Sequence, residues 1–253
     1  MLFGCNQARY NDMAPNVSGI TMVRVYAGDA HLKGVWPSTP VGTVGMFSLD
    51  PNYYDLAAGR LDTKVKALFA IAPAGTWVMS HHERNYSNMR PEGYTAEMMR
   101  AIDKRMLSLA RQANPGLKYG VNLGEGSHLM QWTIPGLDFY SLDMYEGRVG
   151  TNTVRDVSAN LNKSFNQLPG TGLRAIAETN SSTPSHRASW FREMYDYLYT
   201  HKGGALLTFW NPTGPYSGPW LNTNNPDPRL SAHAESTIYS LRKVAADAKR
   251  GSI

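Results

Sequence analysis

Two glutamates in this sequence each follow a short apolar run. Glu83 comes directly after "TWVMSHH" and Glu178 directly after "LRAIA". Both runs have the length and composition of buried strands, so each carboxyl group is expected at a strand end, which fixes a side chain better than a loop does. Two positioned carboxyl groups are the minimum equipment for hydrolysing a glycosidic bond, one as proton donor and one as nucleophile or base. The first chemistry to consider is therefore glycoside hydrolysis.

The elements that must hold these glutamates alternate between short β-rich runs and segments of helical periodicity. The predicted strands are 2–6, 20–26, 42–47, 76–80, 118–122, 138–143, 173–177 and 205–209, and the predicted helices are 61–72, 95–112, 154–167, 186–201 and 231–249. This alternation predicts an α/β fold, a (β/α)8 TIM barrel that forms a single domain over residues 1–253. The competing fold is an open doubly wound sheet, but no glycine-rich phosphate fingerprint follows the first strand.

A (β/α)8 barrel gathers its reactive groups at the carboxyl ends of its strands. Glu83 belongs to the fourth predicted strand and Glu178 to the seventh. These strands lie on opposite sides of a barrel mouth, so the two carboxyl groups can approach a sugar from both sides. The predicted fold therefore supports the chemistry that the residue types suggest.

A glutamate after strand four and another after strand seven resemble the acid/base and the nucleophile of the retaining clan A glycoside hydrolases. His82 before Glu83 is similar to family 26, the β-mannanase family. The resemblance implies that Tyr145 hydrogen-bonds the nucleophile, that Trp210 forms the floor of the sugar subsite, and that His82 contacts the substrate. Family 26 enzymes commonly continue with Asn-Gly and a tryptophan, whereas this chain reads "HHERNYSNM", which leaves the substrate open.

Other polar and aromatic residues are expected near the same mouth. Arg24 lies in the second strand and Asp143 at the end of the sixth, although these two side chains can also simply pair with each other. Aromatic rings cover the apolar faces of sugars, or else they pack loops over the barrel. The aromatic residues in connections after strands are Trp36, Trp132, Tyr216 and Trp220.

Less specific interpretations exist for the same residues. Glu83 can form a surface ion pair with Arg84, and His82 can be a satisfied core histidine. His81, His82 and Glu83 also contain metal-ligand types, but adjacent strand residues face opposite sides and no H-E-x-x-H helix occurs. We therefore expect no metal and no cofactor.

Charge and composition exclude several classes of function. The net charge of +5 comes from scattered basic residues, so we expect no nucleic-acid partner. Cys5 is the only cysteine, which excludes an intrachain disulfide. No apolar run is long enough to span a membrane and no export signal is recognised. We expect a monomer, a polysaccharide or oligosaccharide partner, and an extracellular site of action.

Two hypotheses from different classes remain. One is a retaining β-glycosidase, mannanase-like and endo-acting, or one specific for another β-glycan. The other is a barrel that binds glycan without cleaving it, such as an adhesin or a viral-particle module. The retaining mechanism requires carboxyl groups about 5–5.5 Å apart. Because adjacent strand residues face opposite sides, Glu83 and His82 can face one cleft only if the backbone over 82–84 is irregular.

Overall fold

Eight parallel strands close into a barrel in chain order, which confirms the predicted (β/α)8 fold. The computed structural model describes residues 1–28, 32, 34–90, 92–146, 156–211, 214 and 221–250. The strands are β1 (Leu2–Asn6), β2 (Met22–Gly28), β3 (Val44–Asp50), β4 (Trp77–Ser80), β5 (Lys118–Gly124), β6 (Phe139–Glu146), β7 (Leu173–Ser181) and β8 (Ala205–Thr208). The helices are α1 (Tyr10–Met13), α2 (Tyr53–Ala57), α3 (Asp62–Ala70), α4 (Ala96–Ala113), α5 (Val157–Phe165), α6 (Arg187–Thr200) and α7 (Pro228–Arg250).

The strands read as continuous apolar runs because a parallel sheet in such a barrel is covered on both faces. All four residues of β4 are buried, for example. Trp77 in β4 and Trp190 in α6 are both almost fully buried, so both rings belong to the core.

The ends of α4 are fixed by polar side chains. Thr95 accepts a hydrogen bond from the backbone N–H of Met98, at 3.2 Å, and so caps the start of the helix. After the helix, the side-chain amide of Asn114 donates to the carbonyls of Phe69 and Ala72, at 3.2 and 3.1 Å. These bonds set the position of α4, which supplies a buried charge described below.

The chain divides into two compact units. The first unit is Met1–Arg24, Asp143–Lys163 and Arg174–Ile253, and the second is Val25–Leu142 and Ser164–Leu173. The first contains β1, β7 and β8, in which β1 and β7 both pair with β8. The second contains β3, β4 and β5, with β4 paired to both neighbours. Over the described ranges, no helix combines the length and the apolar character needed to cross a membrane.

Candidate active site

Glu178 lies inside β7 rather than after it. The predicted strand ends at Ala177, but β7 continues to Ser181, and its pairing with β8 shifts register between Ile176 and Thr179. The register shift is an irregularity of the kind that re-aims side chains near barrel rims. Polar residues can continue the strand here because they have partners: Thr179 accepts from the indole N–H of Trp190 at 2.7 Å.

Glu178 has a hydrogen-bond donor and a cation beside its buried carboxylate. Tyr145 donates its hydroxyl hydrogen to Glu178 Oε2 at 2.5 Å, a contact that the family resemblance implies. The Arg24 Nε lies 4.0 Å from Glu178 Oε1, and the Arg24 side chain is fully buried. A buried carboxylate needs such partners to carry its charge. Both neighbours therefore favour an ionised Glu178.

Asp143 and Tyr145 share one face of β6. They are two residues apart in a continuous strand, so their side chains point the same way. An oxygen of Asp143 lies within 4.8 Å of an oxygen of Glu178. The structure therefore brings Asp143, Tyr145, Glu178 and Arg24 together, as the sequence predicts, and the first unit holds all four.

The opposite face of β6 carries a contact that the sequence analysis misses. Glu146 is buried and accepts a short hydrogen bond from Ser181 Oγ. The His186 Nδ1 lies 2.7 Å from the other oxygen of Glu146. These contacts join the ends of β6 and β7, one residue beyond Tyr145 and three beyond Glu178. No sequence signal links Glu146 to His186, because 40 positions separate them.

Glu83 occupies a different kind of backbone. Strand β4 ends at Ser80, and His81 and Glu83 have φ of 52° and 45°. The predicted irregular backbone over 82–84 is therefore confirmed. Non-glycine residues adopt positive φ only where the surrounding structure holds them. The Glu83 side chain is 4% exposed.

Asn122 from β5 organises His82 and Glu83, and sequence reasoning did not select it. Its Oδ1 lies 3.0 Å from His82 Nδ1 and accepts from the Glu83 backbone N–H at 3.4 Å. Its amide nitrogen donates to Ser141, so Oδ1 is the atom that faces His82. His82 then donates from Nδ1, which leaves Nε2 at 3.7 Å from Glu83 Oε2. The only sequence signal is an asparagine within an apolar strand.

Arg84 does not pair with Glu83, which removes the surface ion pair considered above as an alternative. Its guanidinium forms two hydrogen bonds with Asp103 of α4, one of them at 3.0 Å, and both side chains are fully buried. Burial alone would lower the pKa of Arg84, but the Asp103 carboxylate outweighs it and the pKa of Arg84 is raised. Arg84 therefore remains charged inside the protein.

His81 contacts residues of β3 and α2. Its Nδ1 lies 3.4 Å from Asp50, and its ring contacts Tyr53 with centroids 5.2 Å apart. The hydrogen bond from His81, partly offset by burial, lowers the pKa of Asp50. His81 thus belongs to the packing around β3 and α2.

Trp210 does not fit its predicted role as the floor of a sugar subsite. It is 1% exposed, and its ring packs against Phe191 and beneath the Arg187 guanidinium, both on α6. Its indole N–H donates to Thr208 at 3.0 Å. A stacking sugar requires an exposed ring face, which Trp210 does not offer. The half-buried Phe209 instead meets the ring of Tyr145, with centroids 6.0 Å apart.

The other predicted aromatic contacts vary in their surroundings. Trp36 is half-buried and meets Phe47 with ring centroids 4.7 Å apart. Trp132 is largely buried, and the Arg90 guanidinium lies 4.4 Å from its ring centroid. A sugar contact by either residue stays a prediction. Tyr216 and Trp220 lie outside the described residues.

Comparison with known proteins finds similarity in structure alone. No family model matches the chain, and no curated protein matches it. A GH26 β-mannanase from Bacteroides ovatus is similar at 14% identity and TM-score 0.57, covering 96% of this chain and 89% of that one. Cel5A of Thermotoga maritima is similar in its cellobiose complex, at 10% identity, TM-score 0.59 and coverage of 95% and 97%. The mannotriose complex of the same enzyme is similar at 11% identity and TM-score 0.58, covering 93% of this chain and 90% of that one. At such identities the likeness shows the fold.

Proposed function

We propose that this chain is a retaining glycoside hydrolase that cleaves a β-linked polysaccharide, with β-1,4-mannan as the first candidate and endo action as the mode. Glu178 is the nucleophile and Glu83 the acid/base. The observation that carries the proposal is the environment of Glu178, a buried carboxylate with a tyrosine hydroxyl at 2.5 Å and an arginine beside it. A nucleophilic carboxylate must be kept ionised and oriented, and this arrangement provides a group for each purpose.

In the first step, a Glu178 oxygen attacks the anomeric carbon and the bond to the leaving sugar oxygen breaks. Tyr145 and Arg24 keep the nucleophile ionised and oriented. In the second step a water oxygen attacks the same carbon, and the Glu178 ester bond breaks. The anomeric configuration is inverted twice and so retained.

Glu83 supplies the proton that the leaving oxygen takes and later removes a proton from the attacking water. Its carboxyl group is buried, and His82 presents Nε2 to it at 3.7 Å. Asn122 fixes the orientation of His82 through Nδ1.

The residues and the similar structures together support the proposed substrate class. His82-Glu83 is similar to the β-mannanase family, and one similar structure is a β-mannanase. Cel5A was solved with both cellobiose and mannotriose, so glucan belongs in the same test. A polymer of this kind is found outside cells, which supports an extracellular site of action for a monomeric enzyme.

The test is release of reducing sugar from soluble β-mannan, β-glucan and xylan, measured side by side. We expect release from mannan, with short oligosaccharides as products. A matched preparation of the Glu83→Ala/Glu178→Ala double variant should release none. Binding of a polysaccharide by both proteins without release from any substrate would favour the glycan-binding barrel instead.

Stereochemistry tests the mechanism separately. Proton NMR of the first product formed should show the β-anomer, because a retaining enzyme returns the configuration it cleaves. Initial release of the α-anomer would contradict the nucleophilic role of Glu178. It would also contradict the expected carboxyl separation of about 5–5.5 Å.

A further inference from the structure

A buried ion pair begins one residue after Glu83. Arg84 and Asp103 are both fully inaccessible to solvent, and the guanidinium engages both carboxylate oxygens. We propose that Asp103, acting through Arg84, is a positioning residue for the Glu83 carboxyl group. The inference rests on the proposed function, because it assigns Asp103 to the acid/base half of that reaction.

The backbone at Glu83 needs an external constraint. Glu83 has φ of 45° and His81 has φ of 52°, and neither residue is glycine. Such conformations persist only when contacts on both sides over-determine them. On the amino-terminal side, the His81 N–H donates to the carbonyl of Leu49 at 3.0 Å. The Arg84 side chain supplies the first anchor on the carboxyl-terminal side.

The Arg84 side chain is held in place because both carboxylate oxygens of Asp103 accept hydrogen bonds from it. Asp103 Oδ1 accepts hydrogen bonds from Arg84 Nη1 at 3.0 Å, Tyr119 at 3.0 Å and Ser80 at 3.3 Å. Ser80 is the last residue of β4, and its hydroxyl also lies 3.3 Å from Arg84 Nη1. The cluster therefore ties the end of β4, the segment after Glu83 and α4 to one carboxylate.

Stability is a weak explanation for this ion pair. Replacing a buried pair by apolar residues of similar volume is often neutral or stabilising, since desolvation offsets the attraction of the charges. A bidentate pair does, however, fix geometry, and a general acid requires its proton to be within hydrogen-bond reach of the leaving oxygen. Because Arg84 is bonded directly to Glu83, a fixed guanidinium restricts the conformations of the backbone that carries the acid.

The experiment compares two substrates that differ in their need for an acid. One is the polysaccharide on which the unaltered protein is active, and the other is the 2,4-dinitrophenyl glycoside of the same sugar, whose leaving group departs without protonation. For Asp103→Asn we expect kcat/KM on the polysaccharide to fall roughly 10–100-fold. On the dinitrophenyl glycoside the change in the first step should stay below about 3-fold.

Two further variants keep the result interpretable. The double variant Arg84→Met/Asp103→Leu removes both buried charges and should fold with a similar melting temperature while showing the same substrate-dependent loss. Asp62→Asn breaks another arginine–aspartate pair of α4, the partly exposed one with Arg105. This variant should leave kcat/KM on both substrates unchanged.

Equal losses on the two substrates, or no loss, would overturn the positioning role. So would failure of both Asp103 variants to fold, because the pair would then be structural. Glu83→Ala is measured in parallel to separate the two proposals. If Glu83→Ala shows no dependence on the leaving group, the proposed function itself fails. If the loss of activity depends on the leaving group in Glu83→Ala but not in Asp103→Asn, only the inference about Asp103 fails.

Discussion

The two candidate catalytic glutamates are held in different ways. Glu178 sits within a continuous strand, and its carboxylate is contacted by side chains, with Tyr145 donating to one oxygen and Arg24 near the other. Glu83 sits after its strand has ended, in a left-handed backbone conformation. The two residues that follow it are anchored instead. Arg84 pairs with Asp103 of α4, and Asn85 is hydrogen-bonded to Gly124 of β5.

This difference suits the roles that we propose for the two glutamates. A nucleophile must stay ionised, so its contacts act on charge at the carboxylate itself. An acid/base changes its protonation in each half-reaction, so strong charged contacts at its carboxyl group would hold it in one state. Anchoring of the two following residues fixes the position of Glu83 through the backbone.

The largest expected effect is that of Glu178→Ala. Without the nucleophile no glycosyl-enzyme forms, so activity should fall below about 1% on every substrate, including dinitrophenyl glycosides. Initial rates on both substrate types measure this. Glu235→Gln, an exposed glutamate on α7, is the matched control and should keep full activity. A Glu178→Ala enzyme that retained a few per cent would remove the distinction between the two glutamates.

Glu83→Ala should cause a large loss of activity on polysaccharide only. Loss of the acid is expected to lower kcat/KM on polysaccharide by roughly 10²–10⁴-fold, whereas formation of the glycosyl-enzyme from a dinitrophenyl glycoside should survive. Added azide should then speed turnover and yield a glycosyl azide, because azide attacks without a base. Product analysis by mass spectrometry detects it. Comparable losses on both substrates, with no response to azide, would argue against the acid/base role.

Tyr145→Phe tests the contact at Glu178 with a smaller change. The substitution removes only the hydroxyl that donates to Oε2 at 2.5 Å. We expect kcat to fall roughly 10–1000-fold with KM changed less, because the bond matters most as the nucleophile moves toward the transition state. Tyr199→Phe, on the exposed face of α6, provides the control. A rise in KM with unchanged kcat would make Tyr145 a binding residue instead.

The barrel was predictable from the sequence because its strands are buried on both faces and read as apolar runs. The predicted start of every strand lies within two residues of the observed start. The carboxyl ends were less predictable: β6 and β7 each extend three or four residues into polar sequence. Glu146 and Thr179 continue these strands because side chains distant in sequence satisfy them. The short helices α1 and α2 were not predicted.

The site was predictable only where it lies within the strand ends or matches a family motif. The contact between Tyr145 and Glu178 came from the resemblance, and the structure contains it. Asn122 and Asp103 could not be selected, because their importance arises from partners about 20 to 40 positions away. Phe209 and Trp210 follow the end of β8, and the sequence did not indicate that Phe209 rather than Trp210 meets the ring of Tyr145.

The smallest expected effect concerns the second anchor of the Glu83 segment. The Asn85 side chain forms two hydrogen bonds with the backbone of Gly124 in β5. Its amide donates to the Gly124 carbonyl at 3.0 Å, and its Oδ1 accepts from the Gly124 N–H at 2.8 Å. Asn85→Ala leaves both backbone groups unpaired in a partly buried site, so we expect the free energy of unfolding to fall by about 1–3 kcal/mol. Polysaccharide activity should decrease less than in Asp103→Asn, because Asp103 still holds Arg84, the residue next to Glu83. Urea denaturation measures the change in stability, and initial rates measure the change in activity.

The control is Gln112→Ala, which removes an exposed amide on α4 with two hydrogen bonds that water can replace. If Asn85→Ala lowered activity on the dinitrophenyl glycoside as much as on polysaccharide, the segment would support the whole site and the contrast between the two glutamates would be lost.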